Sequence, residues 1–201
     1  MDRKDFEIMA PVGSRESLAA AFQAGADSVY FGIGTLNMRS KSANEFTIDD
    51  LKEIASLCAE RGVKSYLTVN TVIYDEDLPL MRQIVDAAKE AKISAVIASD
   101  AAVMMYCKQK GVEVHLSTQL NISNVEALKF YSQFADVVVL ARELNLRQVK
   151  RIYDEIQQEL FDDSACVPIC YQINVNIHNK AITHYAGKTF GVGLPTISWV
   201  K

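Results

Sequence analysis

The chain has 201 residues, 49% of them hydrophobic and 23% charged, a balance that supports one folded domain with a sizeable core and excludes wholesale disorder. A formal net charge of -4 gives no general attraction to nucleic acid or to anionic membrane. No run approaches the roughly 20 apolar residues of a membrane span, and the charged start Met1-Asp-Arg-Lys-Asp5 has no apolar stretch behind it. Four cysteines are too few for a disulfide framework at this size. The cytoplasm is therefore the expected compartment, with the cysteines as thiols and no membrane partner.

In chain order, Glu7 to Pro11 is a short apolar run that Gly13 ends, predicting a buried strand. Ser14 can cap a helix carrying Leu18, Ala21 and Phe22, which Gly25 stops. Ser28 to Gly32 is a second strand, followed by a polar loop from Asn37 to Phe46. Thr47 with Asp50 resembles a capping box ahead of Leu51, Ile54, Ala55 and Cys58 at helical spacing. The unit then repeats. Strands are predicted at Lys64–Asn70, Ala95–Ser99, Val112–Leu116 and Asp136–Leu140. The helices between them carry Leu78, Met81, Ile84 and Val85, then Val103, Met104 and Cys107 behind an Asp100 cap. Next come Ala127, Phe130 and Phe134 behind Ser123 and Glu126. Last is a long helix with Leu146, Val149, Ile152, Tyr153 and Ile156.

Mostly continuous apolar strands, alternating with helices over short links, read as a parallel sheet covered by helices, hence an α/β fold. The first turn, Ala10-Pro-Val-Gly-Ser14, lacks the glycine-rich dinucleotide fingerprint of a doubly wound sheet. Polar residues instead follow nearly every strand, and in a closed barrel they would converge on one rim. The expectation is a TIM-barrel-like (β/α) fold with about six units. Residues 1–160 would form the barrel portion. Residues 161–201 would be a divergent tail, either a short β hairpin or an unordered stretch, since Tyr171 to Ile177 alternates polar with apolar and glycines follow. A closed barrel needs eight units, so the chain reads as a fragment of something longer.

Zinc-helix, serine-elbow and phosphate-loop signatures are absent from the sequence. His115 lies in an apolar strand, either as a core histidine with a satisfied ring or as an acid/base beside Ser117 and Thr118. Arg142 and Glu143 close a strand; they could salt-bridge a neighbouring loop, or clamp an anion and carry protons. Ser117, Thr118 and Gln119 offer many hydrogen-bonding groups. Cys58 and Cys107 fall on apolar helix faces and read as packing. Cys166 and Cys170, four apart around Pro168, could share a metal or a cluster, or be ordinary thiols.

Seven ordered segments carry a family resemblance: Ala10-Pro-Val-Gly-Ser14, Gly25-Ala-Asp-Ser-Val-Tyr30, Leu36 to Arg39 with Ala43, Asn44 and Phe46, Thr68-Val-Asn70, Ser99-Asp100, His115-Leu-Ser-Thr-Gln119 and Ala141-Arg-Glu-Leu144. Over roughly residues 6 to 159 the chain resembles the collagenase-like peptidases of unknown catalytic type, the U32 peptidase family. The resemblance implies a barrel and an activity recorded by name as protease or collagenase. Within that reading the polar residues at the strand ends give His115, Arg142 and Glu143 as catalytic candidates and Arg39, Asn44, Asn70, Asp100, Ser117, Thr118 and Gln119 as substrate-facing candidates. Other members resemble the chain equally but assist hydroxylation of RNA bases or of a quinone precursor, with a four-iron four-sulfur cluster on cysteines beyond the sixth unit. Of that cysteine pattern the first two segments are missing here, and Cys166 with Cys170 resembles the last pair. A cluster would thus need ligands from elsewhere, and an internal deletion, frameshift or truncation would explain the tail. Three functions follow as expectations: a collagenase-like peptidase, a cluster-dependent hydroxylation factor acting on RNA or a small molecule, or an inactive partial barrel that self-associates through open edges into a homo-oligomer.

Overall fold

The structure is a computed structural model that describes residues 7–38, 46–163 and 169–170, with side chains as far as residue 155. Seven strands and six helices alternate along it: β1 (Met9–Pro11), α1 (Arg15–Gln23), β2 (Ser28–Gly32), α2 (Asp50–Glu60), β3 (Lys64–Val69), α3 (Leu78–Glu90), β4 (Ala95–Ala98), α4 (Ala101–Lys110), β5 (Val114–Leu116), α5 (Val125–Ser132), β6 (Val138–Val139), α6 (Leu146–Asp163) and β7 (Ile169–Cys170).

Each of the first five strands pairs in parallel with its predecessor in the chain, giving the order β1-β2-β3-β4-β5. A parallel bridge from His115 to Val137 carries the pattern on to β6, and β6 pairs in parallel with β7. A doubly wound sheet reverses its strand order at a switch point, whereas a barrel winds in one direction. The uninterrupted order is that of a barrel wall, so the α/β barrel-like fold expected from the sequence is the fold observed. β7 is a seventh strand, one beyond the six expected. The stretch from Tyr171 to Ile177 lies outside the described residues.

Local chemistry sets the helix ends. Ser14 accepts the Ser17 N–H at 3.2 Å while the Ser17 hydroxyl takes the Ser14 N–H at 2.9 Å. Asp50 accepts the Thr47 N–H at 2.8 Å ahead of α2, and Asp100 caps α4 through the Ala102 N–H at 2.8 Å. Gly111 ends α4 with φ of 66°, a left-handed conformation in which a Cβ is strained. At α5 the cap is Asn124, not Ser123: its extended backbone (φ -151°) aims the side chain at the Ala127 N–H, 2.9 Å away. Asn145 caps α6 by accepting the Arg147 and Gln148 N–H groups at 3.0 and 3.1 Å.

The core lies between the outer face of the sheet and the helices. Val29, Phe31, Leu67 and Leu116 meet Leu51, Met81, Ile84, Val103 and Cys107 there, all of them fully buried. Cys58 and Cys107 belong to this layer, and burial pushes their thiols up to about 11 and about 12. Along α6, Ile152 is buried, but Leu146 and Tyr153, expected on the same apolar face, are exposed.

The inner face differs from the continuous apolar runs read in the sequence. Contact between the Tyr66 and His115 rings places residues 66, 68 and 115 on that face, since side chains alternate along a strand. The inner positions are therefore Ser28, Tyr30, Tyr66, Thr68, Ile97 and His115, a mixed polar lining. β1 is also less buried than expected: Ile8 and Met9 are exposed, and among the described residues no strand pairs with its outer edge. Glu7, just ahead of it, accepts the Tyr66 hydroxyl at 2.6 Å and pairs with Lys64 at 2.9 Å. Burial works against the Glu7 charge, but the hydrogen bonds from Tyr66 and Lys64 outweigh it and hold the carboxyl below its ordinary 4.5.

Two stability predictions follow from this architecture. Leu67→Ala empties a fully buried position in the sheet–helix layer and is expected to cost about 3 kcal/mol, against about 1 kcal/mol for Gly111→Ala, read as shifts in urea midpoint at unchanged slope. Equal shifts would contradict the placement of the core. A carboxylate with a lowered folded value contributes stability that is present above 4.5 and is lost as pH falls through the folded value. Glu7→Gln should therefore lose less urea stability than wild type between pH 6 and pH 3; identical losses would show that the Glu7 contacts do not hold in solution.

Candidate functional site at the strand ends

A barrel wall in which every strand runs the same way delivers all the β-to-α links to one end, and catalysis in such folds sits there. Asn70, immediately after β3, is the centre of the described rim. Its Oδ1 accepts the Met38 N–H at 3.3 Å, and its Nδ2 donates to the Ser117 hydroxyl at 3.5 Å, reaching across β4. Ser117, 6% exposed, also accepts the Gln119 N–H at 3.5 Å and caps the short turn Thr118–Leu120. These are long contacts, of a kind that tighten when a ligand organises them. The structure thus brings together Asn70, Ser117, Thr118 and Gln119, with the Gln119 side chain exposed.

The loop after β2 depends on a close approach. Asn37 is 3% exposed and donates from Nδ2 to the Ile33 and Gly34 carbonyls at 3.1 and 2.8 Å. Its carboxamide lies over Gly32, where a Cβ would stand 2.2 Å from Asn37 Cγ. Only glycine admits that packing. Thr68 donates to the Phe31 carbonyl at 3.0 Å and ties the same loop base to β3. Sequence reasoning missed Asn37 and Gly32 as a pair, because a glycine under a carboxamide leaves no periodic signal.

Asp100 sits at the rim with both carboxylate oxygens engaged: one caps α4 and the other accepts the Ile73 N–H at 3.2 Å. It holds the link after β3 against β4. Arg142 and Glu143 are exposed at the end of β6, and neither makes an ion pair among the described residues. His115 lies one inner-face position before Ser117, its Nε2 2.8 Å from Glu113 Oε1, away from the Ser117 side. Arg39, Asn44 and Cys166 lie outside the described residues, and of Cys170 only the backbone pairing with Val139 is described.

The charge of the two ends differs. In the described β-to-α links the carboxylates are Asp49, Asp75, Glu76, Asp77, Asp100 and Glu143, and Arg142 is the one cation among those residues. The links at the opposite end are mixed, with Asp27, Glu113 and Asp136 against Arg61 and Lys92. Residues 39–45, which carry Arg39, Lys41 and Glu45, fall outside the described part of the rim. As for a metal, among the described residues no group of three or more His, Cys, Asp or Glu side chains could hold one. The four thiolates of an iron–sulfur cluster are not assembled by these residues, and Cys58 and Cys107 point into the core. No described helix is long and apolar enough to cross a membrane.

Comparison with known proteins places this geometry. The model of peptidase family U32 matches residues 13–193, so the family likeness runs through the stretch after residue 160 that the sequence reading set apart. The chain is 60% identical over 192 residues to a collagenase of Porphyromonas gingivalis, an alignment covering 94% of this chain and 45% of that protein. It is 32% identical over 157 residues to tRNA hydroxylation protein P1 of Bacillus subtilis, covering 77% of this chain and 37% of that one. The chain thus spans less than half the length of these curated relatives. Among solved structures, the U32 peptidase Mk0906 superposes with a TM-score of 0.58 at 16% identity, over 74% of this chain and 64% of that chain. A deoxyribose phosphate aldolase from Aeropyrum pernix superposes at 0.51 and 14% identity, over 80% and 70%. At those identities the superpositions speak for the barrel-like fold alone. Matched along most of its length by the family model, the chain belongs to peptidase family U32.

Proposed function

We propose that this chain is the barrel portion of a hydrolase acting on polypeptide, with its substrate held at the rim formed by Asn70, Ser117, Thr118 and Gln119. The observation that carries the reading is the character of that rim: neutral amide and hydroxyl groups at its centre, carboxylates around it, and Arg142 as the described cation. Extended peptide backbone presents neutral N–H and C=O groups, which Asn and Gln side chains match as donors and acceptors. A polyanion would meet repulsion from the same carboxylates. The collagenase name of the 60% identical relative points the same way. In this reading Arg142 clamps a carboxylate or carbonyl of the substrate, Glu143 orients it, and His115 serves as the acid/base from below the rim. Two buried free thiols suit the reducing cytoplasm, where we place the protein.

A second reading has its own support: the tRNA hydroxylation relative and the Cys166–Cys170 pair favour a cluster-dependent factor that acts on RNA or a small molecule. In that case the remaining ligands come from outside this chain. Among the described residues no strand pairs with the outer edge of β1, which exposed Ile8 and Met9 flank, and through that edge we propose self-association. Sedimentation should then find oligomers, and monomer alone at high concentration would contradict that part.

The main reading predicts that stringently purified chain cleaves denatured collagen. Arg142→Ala should lower the rate by about 10- to 100-fold, the worth of one charge-assisted hydrogen bond. The chain should also fail to retain tRNA at 150 mM salt. Retained tRNA with no cleavage would favour the second reading, and cleavage indifferent to Arg142→Ala would remove that residue from the site.

A further inference from the structure

We infer that Glu113 is a positioning residue: it fixes the tautomer of His115, so that Nδ1 of this buried ring is the proton acceptor on the inner face of the barrel. Three observations converge on the ring. Its Nε2 lies 2.8 Å from Glu113 Oε1, two positions earlier on β5, where strand alternation returns side chains to the same face. The Tyr66 ring packs against it with centroids 4.7 Å apart and planes at 56°. The His115 side chain is 11% exposed, while its Glu113 partner is half exposed.

An ionised carboxylate can only accept a hydrogen bond, so the nitrogen facing it must carry hydrogen. In a neutral imidazole that leaves the other nitrogen, Nδ1, with the lone pair. The surroundings hold the ring in place for this. Tyr66 is itself anchored, its hydroxyl donating to Glu7 Oε1 at 2.6 Å, and Glu7 pairs with Lys64. On the β6 side, Asp136 is engaged with the Val114 N–H at 2.8 Å. The charged groups on the elements packed around the ring are Glu113 on its own strand, Lys64 on β3, Glu7 ahead of β1 and Asp136 ahead of β6. Glu7 and Lys64 are engaged with Tyr66 and with each other, Asp136 with the Val114 N–H, and Glu113 with the imidazole Nε2.

Glu113, His115 and Ser117 therefore occupy three successive inner-face positions, running from the N-terminal end of β5 to the rim. That order gives a proton acceptor, backed by a carboxylate on the side away from substrate and adjoining the hydroxyl that Asn70 engages. The catalytic consequence rests on the polypeptide-hydrolase reading; the tautomer does not.

The test separates the two. Nitrogen-15 NMR of the full chain labelled at histidine reports which ring nitrogen of His115 carries hydrogen at neutral pH. Wild type should show the single Nε2–H form, and Glu113→Ala should show a mixture of both. Glu113→Asp, which shortens the carboxylate without removing it, serves if the alanine variant does not fold, and should also lose the single form. An Nδ1–H ring in wild type, or an unchanged tautomer in both variants, overturns the inference whatever the activity. If denatured collagen is cleaved, Glu113→Ala should lower kcat about tenfold at unchanged KM. An unaltered kcat beside the expected NMR result would leave the tautomer standing and overturn its catalytic consequence. Absence of cleavage in wild type would defeat the hydrolase reading while the NMR result still decides the inference.

Discussion

Parallel pairing between each strand and the one before it governs everything else in the molecule. Because β1 to β5 are paired in chain order and all point the same way, every helix must return across the outer face, and every β-to-α link emerges at the same end. The outer face can then be dry, with Phe31, Leu67 and Leu116 against the helices, while the inner face is released from packing against helices and can carry Tyr66, Thr68 and His115. One topological constraint thus produces both the hydrophobic layer that stabilises the chain and the polar lining that leads to the rim.

The rim itself is held by backbone contacts more than by side-chain pairs. Asp100 spends both oxygens on N–H groups of its own helix and of the link after β3. Asn37 is committed to carbonyls of its own loop, and Gly32 is required beneath it. What this scaffolding leaves for a ligand is a small set: Asn70 and Ser117 in weak contact, the Gln119 side chain, and the exposed Arg142 and Glu143. The carboxylates around that set are what the proposed preference for neutral or cationic polypeptide over phosphates rests on.

Much of this could be read from the residues. The alternation of apolar runs and capped helices located the strands and helices, and residues such as Ser14, Asp100 and Gly111 marked helix ends because their chemistry leaves few alternatives. Polar residues after each strand pointed to a shared rim. Where adjacent residues have equal chemistry the sequence could not choose: Ser123 and Asn124 both cap helices, and only the extended backbone at Asn124 decides between them. The polar inner face was hidden because Tyr66 and Ile97 count as apolar in a hydropathy run while lying on the opposite face from Leu67 and Val96. Glu113 beside His115 was legible as an i, i+2 pair on a strand. Tyr66, 49 positions earlier in the sequence, was not, since its contact exists only once β3 and β5 share one face.

The most direct test of the central claim is hydrogen exchange of the chain with and without a denatured collagen peptide. The account predicts new protection at Asn70 and its following link, at Ser117 to Gln119 and at Arg142 to Glu143, with the outer helices unchanged. Protection confined to the helix faces, or protection of the rim by RNA and not by the peptide, would contradict it.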